Sequence, residues 1–150
     1  RGGHLTTGIV GTRYLLEALS KNGRFDVAWQ VVTAEGFPGW FEMQAQGATT
    51  MTERWQVWGN YEMNSHNHPA LGSVGAWLFR WLAGIRIDPK KPGYEHVFIA
   101  PEAPDALDWV EAGLDTVRGP IRVRWERSSD ATITLDTQTP PGVHATILSP

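Results

Sequence analysis

The hydrophobic pattern of this chain changes period at Gly84, and that change limits the fold more than any other feature. Before Gly84 the apolar residues recur three or four apart, and after it they alternate. A side chain returns to one face of a helix every 3.6 residues but to one face of a strand every second residue, so the two halves must adopt different secondary structure. Residues 7–22 carry Ile9, Val10, Tyr14, Leu15, Leu16 and Leu19 at helical spacing, and Gly23 supplies the stop. Residues 26–34, with Phe25, Val27, Ala28, Val31 and Val32, repeat the habit. Only Gly23-Arg24 intervenes, which predicts an antiparallel helical pair. Leu71, Val74, Leu78, Trp81 and Leu82 mark one face of a third helix that ends at Gly84.

The run Asp88-Pro89-Lys90-Lys91-Pro92-Gly93 then reads as a turn-rich linker. Short alternating runs follow at residues 96–99, 109–117, 121–126, 131–135 and 143–148. In one of them Ile121, Val123 and Trp125 face one way while Arg122, Arg124 and Glu126 face the other, the mark of a half-buried antiparallel strand. Four or five such strands separated by turns predict a small antiparallel β-sandwich. The fold class expected is therefore an α+β, two-part chain.

Composition narrows the possible functions. The 150 residues carry 13 Lys and Arg against 16 Asp and Glu, a net charge of −3 with no basic stripe, so no nucleic-acid partner is expected. Apolar stretches such as 76–79 are cut by charge at Arg80, far short of the ~20 residues of a bilayer span, so no membrane partner is expected either. The absence of Cys removes disulfides, thiolate metal sites and a cysteine nucleophile, and leaves the compartment open. The chain opens Arg1-Gly2-Gly3 without Met or a leader pattern and reads as a piece of a longer polypeptide. Its eight Trp equal Tyr and Phe together, and five of them (Trp40, Trp55, Trp58, Trp77, Trp81) fall between residues 40 and 81. A large apolar face with one N–H suits either a core or a platform for sugar rings.

The chemistry is expected in residues 36–69, where periodicity is lost over a length that in a compact domain is usually functional. Trp40-Phe41-Glu42, the run Gly47 to Trp55 and the run Asn64 to Pro69 bring polar and aromatic groups to a density no core requires. A single carboxylate such as Glu53 is most often a solvated charge. Here it is followed by the cation of Arg54, by Trp55, and by the amide and imidazole cluster at Asn67 and His68, the groups a sugar site needs. His66 and His68 could alternatively share zinc or manganese with Glu53 or Glu62, although spacing fixes no third ligand. Ser65 lacks the strand–turn–helix setting of a nucleophilic serine.

Three separated strings in this order carry a resemblance: Gly3-His4-Leu5-Thr6-Thr7-Gly8-Ile9-Val10-Gly11-Thr12, then Gly47-Ala48-Thr49-Thr50-Met51-Thr52-Glu53-Arg54-Trp55, then Asn64-Ser65-His66-Asn67-His68-Pro69 with Gly72-Ser73-Val74-Gly75. Together they resemble the C-terminal part of bacterial α-L-rhamnosidases over essentially the whole chain. The resemblance implies that residues 1–86 are the last helices of an (α/α)6 catalytic barrel and residues 87–150 the β-sandwich that follows it. It also implies an inverting hydrolysis of terminal α-L-rhamnosides with Glu53 as general base and His68 against the bound rhamnose. The general acid would precede Arg1, on the rest of the catalytic polypeptide, with Glu42 or Glu62 the second carboxylate should both groups lie within the chain. Trp55, Asn67 and Trp40 complete the expected substrate-binding set, Met51 offers further apolar surface, and no cofactor or metal is expected. The partners implied are rhamnose-containing oligosaccharides or glycosides. One position departs from the family: relatives commonly carry Trp before the glutamate, where this chain has Thr52, so the aromatic wall and the leaving-group preference it sets do not carry over. A non-catalytic carbohydrate-binding or scaffold module, another (α/α)6-barrel glycosidase such as an unsaturated-uronyl hydrolase, and a metal-dependent enzyme are the alternatives.

Overall fold

The computed structural model describes residues 4–59 and 64–148, which form two compact units that divide between Trp77 and Leu78. The first unit is helical. Helix α1 (Ile9–Lys21) ends in a left-handed Gly23 at φ 71°, with Gly23 N–H donating to Ser20 C=O and Arg24 N–H to Leu19 C=O. That pair of bonds satisfies carbonyls the helix would otherwise leave open and turns the chain directly into α2 (Phe25–Val32). Helix α3 (Trp40–Ala45) interrupts the segment that sequence periodicity leaves irregular, and α4 (Pro69–Trp77) closes the unit.

The buried stripe of α1 is Thr12, Leu16 and Ser20, spaced four apart, whereas Val10 and Tyr14 are 74% and 60% exposed. Polar residues occupy the inner face because each has a partner there. The Thr12 hydroxyl lies 2.8 Å from that of Thr7, and the Ser20 hydroxyl accepts the Trp77 indole N–H at 2.9 Å. Phe25 stacks on Trp77 with centroids 5.3 Å apart. A second core, Met43, Val57 and Leu71 with Ile9, Ala48 and Trp55 packed against it, lies beneath the irregular segment.

The second unit begins with a π-helical turn (Leu78–Leu82), where Ala83 N–H reaches back five residues to Leu78 C=O at 2.9 Å. The third helix expected from the sequence thus leaves α geometry after Trp77, while Trp81 and Leu82, expected on its inner face, are both buried. Among the described residues six strands follow: β1 (Ile85–Ile87), β2 (His96–Ile99), β3 (Trp109–Thr116), β4 (Gly119–Arg127), β5 (Ile133–Gln138) and β6 (His144–Ile147). They form two three-stranded sheets, ordered β1-β2-β6 and β3-β4-β5. Ile85, Val97 and Ile99 from one sheet meet Ile121 and Val123 from the other, with Val143, in one buried cluster, which makes this unit a β-sandwich. As its alternation predicts, β4 also turns Trp125 inward, and its indole donates to Leu82 C=O at 2.8 Å.

One pair departs from the antiparallel expectation. Strand β6 runs parallel to β2, because a chain that leaves one sheet, builds the whole of the other and returns need not reverse direction as a hairpin does. His96 ties this edge together: its Nδ1 donates to the Asp88 carboxylate and its Nε2 meets the Thr146 hydroxyl, both at 2.8 Å. The hydrogen bond from His96, and then the Lys90 backbone N–H, hold the Asp88 carboxyl below its ordinary pKa. The stabilisation this link contributes is therefore present above the ordinary carboxylate value and lost as pH falls through the lowered one.

Gly84 joins the π turn to β1 at a place where no side chain fits. Its φ is 81°, its C=O accepts Ala100 N–H at 3.0 Å, and a Cβ there would lie 2.2 Å from the Pro101 nitrogen and 2.5 Å from the Ala100 carbonyl carbon. Since the obstruction is backbone, it cannot swing aside. Gly84→Ala is expected to cost about 1–3 kcal/mol from overlap and a further ~1–2 kcal/mol from the left-handed backbone. A urea unfolding curve showing a loss under about 1 kcal/mol would contradict the close approach.

Candidate functional site

The irregular segment is organised by two stretches of backbone, residues 50–54 and 64–68, lying antiparallel beside each other. Glu53 N–H donates to Ser65 C=O at 2.7 Å, His68 N–H donates to Met51 C=O at 2.8 Å, and the Thr50 hydroxyl bonds to His66 C=O. This ribbon places Glu53, Asn67 and His68 on one local framework although Asn67 and His68 lie 14 and 15 positions beyond Glu53 in the chain. Each has a different anchor.

Glu53 is half-buried. Its Oε2 accepts the Ser65 backbone N–H at 3.1 Å, so the residue that pairs with its main chain also orients its carboxylate. Oε1 has no partner among the described residues. The next residue, Arg54, is exposed, and its backbone N–H donates to Asn64 Oδ1 at 3.2 Å. The arrangement suits a carboxylate that must hold one orientation while keeping an oxygen available to a small molecule.

His68 immediately precedes α4, with Pro69 at the first helical position, where a missing N–H costs nothing. Its Nδ1 accepts the Ala70 backbone N–H at 3.2 Å, capping the helix by its side chain. That bond uses the Nδ1 lone pair and therefore leaves Nε2 as the N–H of the neutral ring, a donor fixed in place by the helix start. Asn67 is exposed, with its backbone N–H on the Ser65 hydroxyl at 3.3 Å. His66 is exposed and its ring meets the edge of Trp58 at 5.5 Å.

The tryptophans of this segment divide by burial. Trp40 is 7% exposed and its indole donates to Leu71 C=O at 3.0 Å, so it belongs to the core rather than to an open sugar-facing wall. Its ring stands edge-on to Trp55, 5.1 Å away at 86°, and supports it from below. Trp55 is half-buried, and its N–H is buried with no acceptor among the described residues. Trp58, which sequence reasoning did not single out for the site, is 62% exposed with its N–H on Gln46 C=O at 2.6 Å. Position alone gave no sign of which of the three would be open.

Thr52, the residue before Glu53, faces inward. It is 1% exposed, with its hydroxyl on Arg54 C=O at 2.6 Å and 3.5 Å from Met43 Sδ, so it faces the core and holds the turn at Glu53. Glu42 lies on α3 and accepts the Gln46 side-chain amide at 2.9 Å. Glu62 lies outside the described residues. Among the described residues, no group of three His, Asp or Glu side chains converges as a metal-holding cluster.

Comparison with known proteins comes to the same region of sequence space from both halves. The family model described as the bacterial alpha-L-rhamnosidase six-hairpin glycosidase domain matches residues 1–82, and that of the bacterial alpha-L-rhamnosidase C-terminal domain matches residues 84–150. An alpha-L-rhamnosidase of Streptomyces avermitilis is 37% identical over 98% of this chain and 15% of its own length. One from Formosa agariphila is 36% identical over 98% of this chain and 16% of its own. Among solved structures, the Streptomyces avermitilis alpha-L-rhamnosidase complexed with L-rhamnose superimposes with a TM-score of 0.87 at 36% identity, covering 97% of this chain and 14% of that one. The chain thus spans about a sixth of the length of the curated relatives it matches.

The two aromatic neighbours give a test of this geometry. Trp40→Phe removes a buried donor and leaves Leu71 C=O without it, a loss of about 1–3 kcal/mol. Trp55→Phe gives up no hydrogen bond among the described residues and is expected to cost less. Urea unfolding midpoints of the two variants should fall in that order, and the reverse order would contradict it.

Proposed function

The chain belongs to the bacterial α-L-rhamnosidase family, its helices being the end of the six-hairpin domain and its strands the C-terminal β domain, and on that premise we propose that the protein hydrolyses terminal α-L-rhamnosides with inversion, Glu53 serving as general base. The observation that carries this reading is the Glu53 carboxylate. It is half-buried on the ribbon, with Oε2 held by Ser65 N–H and Oε1 without a partner among the described residues.

In an inverting hydrolysis one carboxylic acid protonates the departing oxygen while a carboxylate on the opposite face of the ring takes a proton from the attacking water, with the two groups roughly 6.5–9.5 Å apart to admit that water. Glu53 Oε1 takes the second role: it accepts the water proton as the water oxygen bonds to the anomeric carbon and the glycosidic bond breaks. The acid is supplied from outside residues 1–150, by the polypeptide that makes up the remainder of the relatives' length. His68 Nε2–H donates to a rhamnose hydroxyl, and Asn67 offers both a donor and an acceptor to its neighbours. Trp55, backed by Trp40, presents apolar surface, and Met51 adds to it. Rhamnose has a methyl group where a hexose carries its 6-hydroxyl, and apolar surface against that methyl favours it by about 1–3 kcal/mol.

Two measurements on the full-length enzyme test these roles. Glu53→Gln is expected to lower kcat on an aryl α-L-rhamnoside by ~10²–10⁴ while KM changes little, and a loss under about tenfold would overturn the assignment. His68→Ala is expected to reduce turnover far more than His66→Ala. Because His68 also caps α4, His68→Asn serves as the control. Asn caps a helix well but cannot carry a donor to the Nε2 position, so its activity should stay low while its melting temperature stays near wild type. Equal effects at 66 and 68 would remove His68 from the site.

A further inference from the structure

We propose that Asn64 is the positioning residue for Glu53, a role that rests on the assignment of Glu53 as the base. Among the described residues the side-chain amide of Asn64 makes three hydrogen bonds, all to backbone. Its Oδ1 accepts Arg54 N–H at 3.2 Å, and its Nδ2 donates to Gln56 C=O at 3.0 Å and Val57 C=O at 3.2 Å. One donor and two acceptors face it, the complement of an amide with one carbonyl and one NH₂. The pattern also fixes which way the amide points, since a flipped Asn64 would set oxygen against two carbonyls and NH₂ against an N–H.

The three bonded residues locate the base on both sides. Arg54 directly follows Glu53, and Ser65, whose C=O and N–H hold the Glu53 main chain and carboxylate, directly follows Asn64. Val57 is fully buried in the core with Met43 and Leu71. Asn64 therefore clamps the turn after Glu53 to the stretch of backbone that orients its carboxylate, and secures both to the core through Val57. Without this clamp the Ser65 N–H and the Glu53 backbone can still bond to each other, but the pair is no longer registered against the core. A shift of about 1 Å in a reacting group costs up to ~10²-fold in rate. Of the groups assigned to substrate binding, His68 is held by the Met51 carbonyl and the Ala70 N–H and Asn67 by the Ser65 hydroxyl, outside this amide, while the Trp55 ring rests on Trp40 although its backbone lies between residues the amide bonds. An Asp of the same shape keeps the acceptor for Arg54 N–H and sets oxygens against two carbonyls, so shape alone does not preserve the clamp.

The test is a double-mutant cycle in the full-length enzyme, assayed on an aryl α-L-rhamnoside with a good leaving group. Asn64→Ala in the wild-type background is expected to lower kcat about 10- to 100-fold with KM held within about threefold. In the Glu53→Gln background the same substitution is expected to lower kcat less than about threefold, because the group it positions no longer acts as a base. A residue that only stabilises the fold would cost the same factor in both backgrounds, and that result overturns the proposal. So does a rise in KM with kcat unchanged. If Asn64→Ala does not fold, Asn64→Asp carries the same cycle with the same two outcomes. Failure of the base assignment itself is read separately, from Glu53→Gln alone retaining activity within about tenfold of wild type, which takes this proposal with it.

Discussion

A buried indole N–H is costly to leave without an acceptor, and three such bonds hold the parts of this chain that matter for its site and its sandwich. Trp40 donates to Leu71 C=O and so joins α3 to α4 across the irregular segment. Trp77 donates to the Ser20 hydroxyl and joins α4 to α1. Trp125 donates to Leu82 C=O and anchors β4, near its C-terminal end, against the π turn. Each bond is worth only about 1 kcal/mol in net terms, but a buried polar group left unpaired costs about 1–3 kcal/mol, so the penalty for a wrong arrangement exceeds the gain from the right one. That asymmetry makes the tryptophans determinants of register as well as of bulk. Trp55 stands apart from them, with a buried N–H that meets no acceptor among the described residues at the edge of the proposed site.

The site is built mainly by backbone. Glu53 and Ser65 exchange a main-chain bond and a main-chain to carboxylate bond, His68 is set by the Met51 carbonyl and by the start of α4, and Asn64 binds three backbone groups. Backbone groups lack rotamers, so a site anchored on them loses little entropy when substrate arrives and keeps its geometry through side-chain motion nearby. Beneath it, Met43, Val57 and Leu71 supply a small, fully buried floor. The polar groups above are thereby referred to a rigid apolar base, which is what lets an irregular segment hold the Glu53 carboxylate in one orientation.

In the sandwich the same logic governs the edge rather than a site. Strand β6 returns to pair in parallel with β2, and the Asp88–His96–Thr146 chain of hydrogen bonds runs from the residue just after β1 across β2 to β6. The close approach of Gly84 to Ala100 and Pro101 sets where the sheet begins. Both features depend on single residues whose chemistry has no substitute at those positions: a ring with two nitrogens, and a residue with no Cβ.

The sequence by itself determined the change from helix to strand at Gly84, the inward face of β4 at Ile121, Val123 and Trp125, and the helical stop at Gly23, because period and glycine placement are local properties of the backbone. It also placed Glu53 and His68 in one candidate site, through motifs that resemble the family to which the chain belongs. Only the tertiary structure decided that Thr12 and Ser20 lie inward on α1 while Val10 and Tyr14 do not, since burial of a hydroxyl depends on a partner from another segment. It alone sorted Trp40 into the core and left Trp58 exposed, turned Thr52 inward, broke the third helix into a π turn and made β6 parallel. The bonding of Asn64 was equally hidden: an asparagine in a polar loop has no periodicity to report its partners, and the three backbone groups it bonds, 7 to 10 residues away in the chain, become neighbours only when the loop closes. Local patterns fix which faces can be buried, and long-range contacts choose which of them are.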